Sequence, residues 1–222
     1  MESTPDLTTA DLTESVLGRR DVVVVEGADA MTYLHSQVSQ DLRGMADGES
    51  RWTFVLQPTG KIDSLARVTR LSEERYELDT DAGWGAALLA RIDRFKIRVN
   101  AQTSLREVDG PGEVDDERRI ELGWPRLGVD IVPGETIPGG TGLTALAVSF
   151  TKGCYPGQEL VERMDSRAAE APRSLRRIDV AAGTLPGDPV FDGDTEIGVV
   201  TSVSGTRALA WIKRLPTGTL GV

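Results

Sequence analysis

Asp21-Val22-Val23-Val24-Val25-Glu26-Gly27 is followed almost directly by Asp29 to Val38, and this pair of segments sets the reading of the fold. Four β-branched residues in a row, closed by a glycine, predict a short buried strand. Met31, Leu34 and Val38 then recur at spacings of three and four, which predicts a helix opening at Asp29. Past a turn at Gly44 to Gly48, Trp52 to Leu56 reads as a strand. Pro58-Thr59-Gly60 makes a hairpin turn, and Ile62 to Leu71 returns as a second strand. Arg75 to Thr80 adds a third. Gly83 to Phe95 carries Ala87, Leu88, Ile92 and Phe95 at helical spacing, and Lys96 to Ala101 is expected as a further strand. The order β-α-β-β-β-α-β predicts an α+β fold of the ferredoxin-like split β-α-β type, with helices on one side of a mainly antiparallel sheet.

Outside this block the pattern changes. Residues 1–18 are polar and turn-rich and predict a loose, flexible arm, with a weak helical signal from Thr8 to Leu17. Residues 109–117 look like a solvated linker, and Pro133 to Gly142 like an irregular surface loop. From Leu175 short apolar runs, Ile178 to Val180, Pro189 to Phe191, Ile197 to Ser202 and Ala208 to Ile212, alternate with Gly, Pro and Asp turns. They predict a small C-terminal β-barrel at 173–222 after a main domain at 19–172.

Composition narrows the function. The 222 residues are 39% hydrophobic and 27% charged, the balance of an ordinary globular chain. A net charge of −10 argues against a nucleic-acid surface spread over the protein, although Arg91, Arg94, Lys96 and Arg98 form a local basic group. No signal peptide or membrane-length apolar run is readable, so a cytoplasmic protein without a membrane partner is expected. With one cysteine and one histidine, a structural zinc site or a four-thiolate cluster cannot be built within the chain.

The single cysteine lies in Lys152-Gly153-Cys154-Tyr155-Pro156-Gly157-Gln158-Glu159. Val148 to Thr151 reads as a strand, Gly153 as a tight turn, and Pro156 as part of a helix's first turn. Cys154 would then stand just ahead of a helix N-terminus with Lys152 two residues away, and both features favour a thiolate. A buried, inert thiol is the common alternative for a lone cysteine, and local physics leaves the two open. Gln158 and Glu159 read equally well as helix-capping residues. His35 reads as a surface or boundary residue, and the four tryptophans as core.

That eight-residue run resembles the signature of the YgfZ family, which is related to the glycine-cleavage T-protein. Gly27-Ala28-Asp29-Ala30, Gln57-Pro58-Thr59-Gly60-Lys61, Arg119-Ile120-Glu121-Leu122-Gly123-Trp124-Pro125 and Gly198-Val199-Val200-Thr201-Ser202 are similar to further family elements. The resemblance implies a tetrahydrofolate-binding domain at 19–172, and a folate-dependent accessory role in the assembly or repair of iron–sulfur client proteins, with effects on tRNA modification but no direct nucleic-acid contact. Carried over by position, Cys154 and Lys152 would be the working groups and Glu121 would face the pterin. Arg119 and Lys61 would serve the anionic tail or hold the site together, and Tyr155 and Gln158 would join the folate site. Trp124 could stack on a flat ring. The T-protein's paired aspartates fall at Ser64 and Leu65 here, with Asp63 one residue early and on the other strand face. Aminomethyl or other one-carbon transfer is therefore the alternative function.

Overall fold

The computed structural model describes residues 11–166 and 171–214. Helix α1 (Glu14–Leu17) leads into β1 (Arg20–Glu26), α2 (Ala30–Gln37), β2 (Ser50–Leu56), β3 (Ile62–Ser72), β4 (Arg75–Asp81), α3 (Gly85–Asp93) and β5 (Gln102–Arg106). These five strands form one antiparallel sheet in the order β2-β3-β4-β1-β5. Strands β4 and β5 flank β1, each antiparallel to it, and α3 joins them. The chain then continues through α4 (Asp116–Leu122), a 3-10 turn, α5 (Thr144–Ala147) and α6 (Gln158–Ser166). A second antiparallel sheet of β6 (Arg173–Asp179), β7 (Pro189–Asp192), β8 (Thr195–Ser204) and β9 (Arg207–Lys213) follows, in the order β6-β9-β8-β7. The architecture is thus mixed α/β with two antiparallel sheets, and among the described residues β6 and β7 are the edges of the second.

Both faces of the first sheet are covered, because its strands carry apolar residues on both sides. Val55, Val68 and Leu78 pack with Leu34 of α2 and Leu88 and Ile92 of α3. Trp52, Phe54 and Leu56, which alternate with Thr53 and Val55, point the other way. They meet Leu12, Val16 and Leu17, and further on Trp124, Leu127, Ile131, Leu143 and Val148. The expectation of helices on one side only is corrected: irregular segments build a third layer.

Four other expectations change with it. Residues 11–18 of the expected arm belong to the core through Leu12, Val16 and Leu17, while residues 1–10 lie outside the described residues. The last strand of the first sheet is Gln102–Arg106, not Lys96 to Ala101. Asn100 is held across the end of the β1–α2 turn, its N–H on the Asp29 carboxylate (2.7 Å) and its carbonyl accepting from the Asp29 N–H (3.2 Å). Pairing with β1 can begin only at Gln102, opposite Glu26. The loop Pro133 to Gly142 runs inward: Pro138, Gly140, Thr141 and Leu143 are all buried, with Gly140 against Trp211 of β9. Trp124 is buried edge-on to Trp52, ring centres 4.5 Å apart, so it offers no face for stacking.

Candidate functional site: an anchored cysteine turn

Cys154 is exposed. The chain reaches it through α5 and an irregular stretch rather than a strand, because residues 146–149 are bonded to the segment after α2. Ser39 Oγ donates to the Ala147 carbonyl (2.6 Å), Gln40 Nε2 to the Leu146 carbonyl (2.9 Å), and the Ser149 N–H to the Ser39 carbonyl (2.9 Å). Ser39 is buried and also accepts the Phe54 N–H, so it locks this segment to β2.

Lys152 reaches back to α2. Its Nζ donates to the carbonyls of His35 and Val38, at the C-terminal end of α2, and lies 5.0 Å from the centre of the Tyr155 ring. The cation expected beside Cys154 thus makes its hydrogen bonds with the end of α2. Burial pulls its pKa down from 10.5 to about 8, with Asp41 opposing the shift and Arg43 adding to it. Between those two values the unfolded chain binds more protons than the folded one, so stability rises with pH across the window. Lys152→Met removes the group, and the melting-temperature gap between wild type and variant is expected to widen from pH 7 to pH 10. A gap that stays constant in paired melts would show that burial does not set this titration.

The far side of the turn is held by glycine packing. Gly157 has φ +82° and lies so close to the β2–β3 hairpin that a Cβ would come 2.4 Å from the Gln57 carbonyl oxygen. Gly60 returns the contact, its φ +83° and a Cβ there falling 2.5 Å from Leu160. The left-handed Gly157 ends any continuation of helix backward, so α6 starts at Gln158 and Pro156 stands outside it. Gln158 Oε1 accepts the Tyr155 N–H (2.9 Å), the local capping contact its sequence position suggested. Tyr155 is buried, and burial pushes its hydroxyl up to about 12.

The other predicted residues are dispersed. Lys61 closes the hairpin, its carbonyl accepting the Gln57 N–H (2.8 Å). Asp63 pairs with buried Arg91 (3.3 Å) and accepts from Gln57 Nε2 (2.8 Å), while Ser64 lies buried against Thr80. Glu121 stands half-exposed at the α4–β9 junction, 2.7 Å from Arg118 and 3.9 Å from Arg207, and the Arg118 hydrogen bond holds its carboxyl below the usual range. Arg119 is 2% exposed and is bound to Asp116 (2.6 Å) and Asp130 (2.9 Å). It braces the interior and is not available to an anionic tail. His35 is more engaged than expected: its Nδ1 accepts the Leu42 N–H (3.3 Å) and lies 3.5 Å from Asp41, and burial lowers its pKa. The sequence reading passed over Ser39, Gln40 and His35 as anchors of the turn. Their partners are mostly backbone groups, which leave no residue pattern to read.

Among the described residues no group of three or more His, Cys, Asp or Glu is placed to hold a metal ion, and no helix is long and apolar enough to cross a membrane.

The two-sheet arrangement is that of the glycine cleavage system aminomethyltransferase T from Bartonella henselae, whose crystal structure superposes with a TM-score of 0.71 over 89% of this chain and 77% of that one, at 19% identity. The fold class is therefore aminomethyltransferase-T-like. No family model matches the chain. The tRNA-modifying protein YgfZ of Serratia proteamaculans is 34% identical over 139 residues, 59% of this chain and 41% of its own. The protein of that name from Escherichia coli is 35% identical over 103 residues, 42% of this chain and 31% of its own. An uncharacterized protein of Haemophilus influenzae is 28% identical over 192 residues, 69% of each chain. The chain is thus similar to YgfZ proteins over part of its length and has the fold of aminomethyltransferase T, and the matches span less than half the length of the two named relatives.

Proposed function

We propose that the protein is a tetrahydrofolate-binding accessory factor that supports assembly or repair of iron–sulfur proteins, with Cys154 as its working group. The observation that carries the reading is the placement of an exposed thiol on a turn anchored at both ends. A packed, inert cysteine would have no need of that construction. The named relatives supply the link to tRNA-modifying proteins, which this reading makes downstream of the iron–sulfur clients. The units at 19–172 and 173–222 would act together, since Glu121, the residue proposed for the pterin, stands where they meet.

The fit to a pterin is confined to recognition. Glu121 stays ionised, with its Oε2 accepting from Arg118 (2.7 Å) and its Oε1 3.9 Å from Arg207. A carboxylate so placed can accept two parallel N–H bonds from an aminopyrimidine edge. Lys61, Tyr155 and Gln158 are proposed as secondary contacts on the signature side. Bound folate would supply one-carbon chemistry, while the positions of the paired aspartates hold buried Ser64 and Leu65 and the neighbouring Asp63 is paired with Arg91. That favours the accessory role over an aminomethyltransferase.

Titration with tetrahydrofolate should raise the melting temperature, about 2.7 kcal/mol of stabilisation being expected at a hundredfold excess over Kd. Glu121→Gln should lose the shift. Cys154→Ala should melt normally and keep the folate shift, yet fail to restore a cluster-dependent enzyme in cells lacking the protein. Absence of any folate shift sinks the ligand assignment, and full restoration by Cys154→Ala sinks the role of the thiol.

A further inference from the structure

We propose that Lys152 is a positioning residue for Cys154: its side chain pins the signature turn to the C-terminal end of α2 and so holds the Gly153–Cys154 tip out to solvent. This rests on the reading of Cys154 as the working group. Helix α2 ends at Gln37, and Val38 leaves it in an extended conformation. Carbonyls in the last turn of a helix have no partners within it. Lys152 supplies two of them with donors, at His35 and Val38, and its cation lies over the Tyr155 ring. A positive charge at a helix C-terminus is also favoured by the helix dipole.

The pin brackets a very short tip. On one side the Ser149 N–H is held by the Ser39 carbonyl, and on the other the Tyr155 N–H is held by Gln158 Oε1. Between them Gly153 has no atom within 4 Å of where a Cβ would sit, and Cys154 is exposed. A hydroxyl contact between Ser149 and Thr151 (3.4 Å) also lies within the tip. The ammonium is committed to α2, flanked by His35, Asp41 and Arg43 on that segment and by Tyr155 on its own. Both the ammonium and the neutral amine carry enough N–H groups for two carbonyls, so the pin survives titration. Methionine matches the reach of the stem and donates nothing; arginine keeps both charge and donors.

Hydrogen exchange on the full chain separates this role from general stabilisation. In Lys152→Met the Ser149 and Tyr155 amides, which flank the pin, should exchange about tenfold faster, while Val23 and Val25 in β1 should change by less than about twofold. Lys152→Arg should return most of the lost protection. In cells, Lys152→Arg should restore the client enzyme and Lys152→Met should not. Unchanged exchange at Ser149 and Tyr155 in Lys152→Met overturns the proposal. So does an equal rise in β1, or an arginine variant no better protected than the methionine one. Full restoration by Cys154→Ala would instead defeat the functional reading and leave the exchange result to decide the pin.

Discussion

Asp130→Ala is expected to cost about 3–5 kcal/mol, the usual penalty for stranding a buried charge. Asp130 is fully buried. Its Oδ2 accepts from Arg119 Nη1 and from the Arg126 N–H, each at 2.9 Å, and its Oδ1 from the hydroxyls of Thr201 (2.5 Å) and Ser202 (2.7 Å). Its carbonyl accepts from Trp211 Nε1 at 2.8 Å. One side chain therefore ties α4 and the loop after it to β8, while its backbone reaches β9. Truncation leaves the Arg119 guanidinium, 2% exposed, with only the half-exposed Asp116 to balance it. For a chain of this size the loss corresponds to a fall in melting temperature of about 6–20 °C. Asp130→Asn keeps the shape and loses the charge, and should fall between wild type and alanine in a urea titration. A loss below about 1 kcal/mol in Asp130→Ala would mean that water or a moved carboxylate replaces the pair.

Gly157→Ala should be nearly as damaging, and for a different reason. A left-handed φ costs an L residue about 1–2 kcal/mol. The added Cβ also meets backbone, the Gln57 carbonyl oxygen at 2.4 Å and Gly60 Cα at 2.8 Å, and neither can rotate away. Displacing packed backbone adds about 1–3 kcal/mol, for a total of about 2–5 kcal/mol. Gly153→Ala is the control. It lies four residues earlier in the same turn, has no positive φ and meets nothing within 4 Å, so its effect should stay within about 0.5 kcal/mol. Denaturant melts of the two variants decide the matter. Equal effects would show that the hairpin yields to the signature, and that the Gly157–Gly60 contact does not hold the turn.

These predictions concern residues whose importance was unevenly legible. The first six elements of the main sheet could be read because their apolar residues recur with period two or near 3.6, and β6 to β9 because turn residues punctuate them. The fifth strand could not. Gln102–Arg106 is an edge strand whose alternate residues are exposed, so it carries almost no apolar signal. Ile97 in the neighbouring stretch is β-branched, which drew the expectation there, and yet it is 75% exposed. The third layer was missed because Leu127, Ile131 and Leu143 sit in irregular chain, where no period marks a buried face.

The sequence by itself determined the order of β1 to β4 with α2 and α3, the solitary thiol and its signature, and the lack of an acid at positions 64 and 65. All are carried by residue identity or local spacing. Tertiary structure alone decided that the thiol faces water, that the Lys152 ammonium faces the end of α2, and that Arg119 is an internal brace. Those outcomes depend on carbonyls and carboxylates brought from distant parts of the chain. A backbone carbonyl is the same in every residue, and only the folded register says which side chain will reach it.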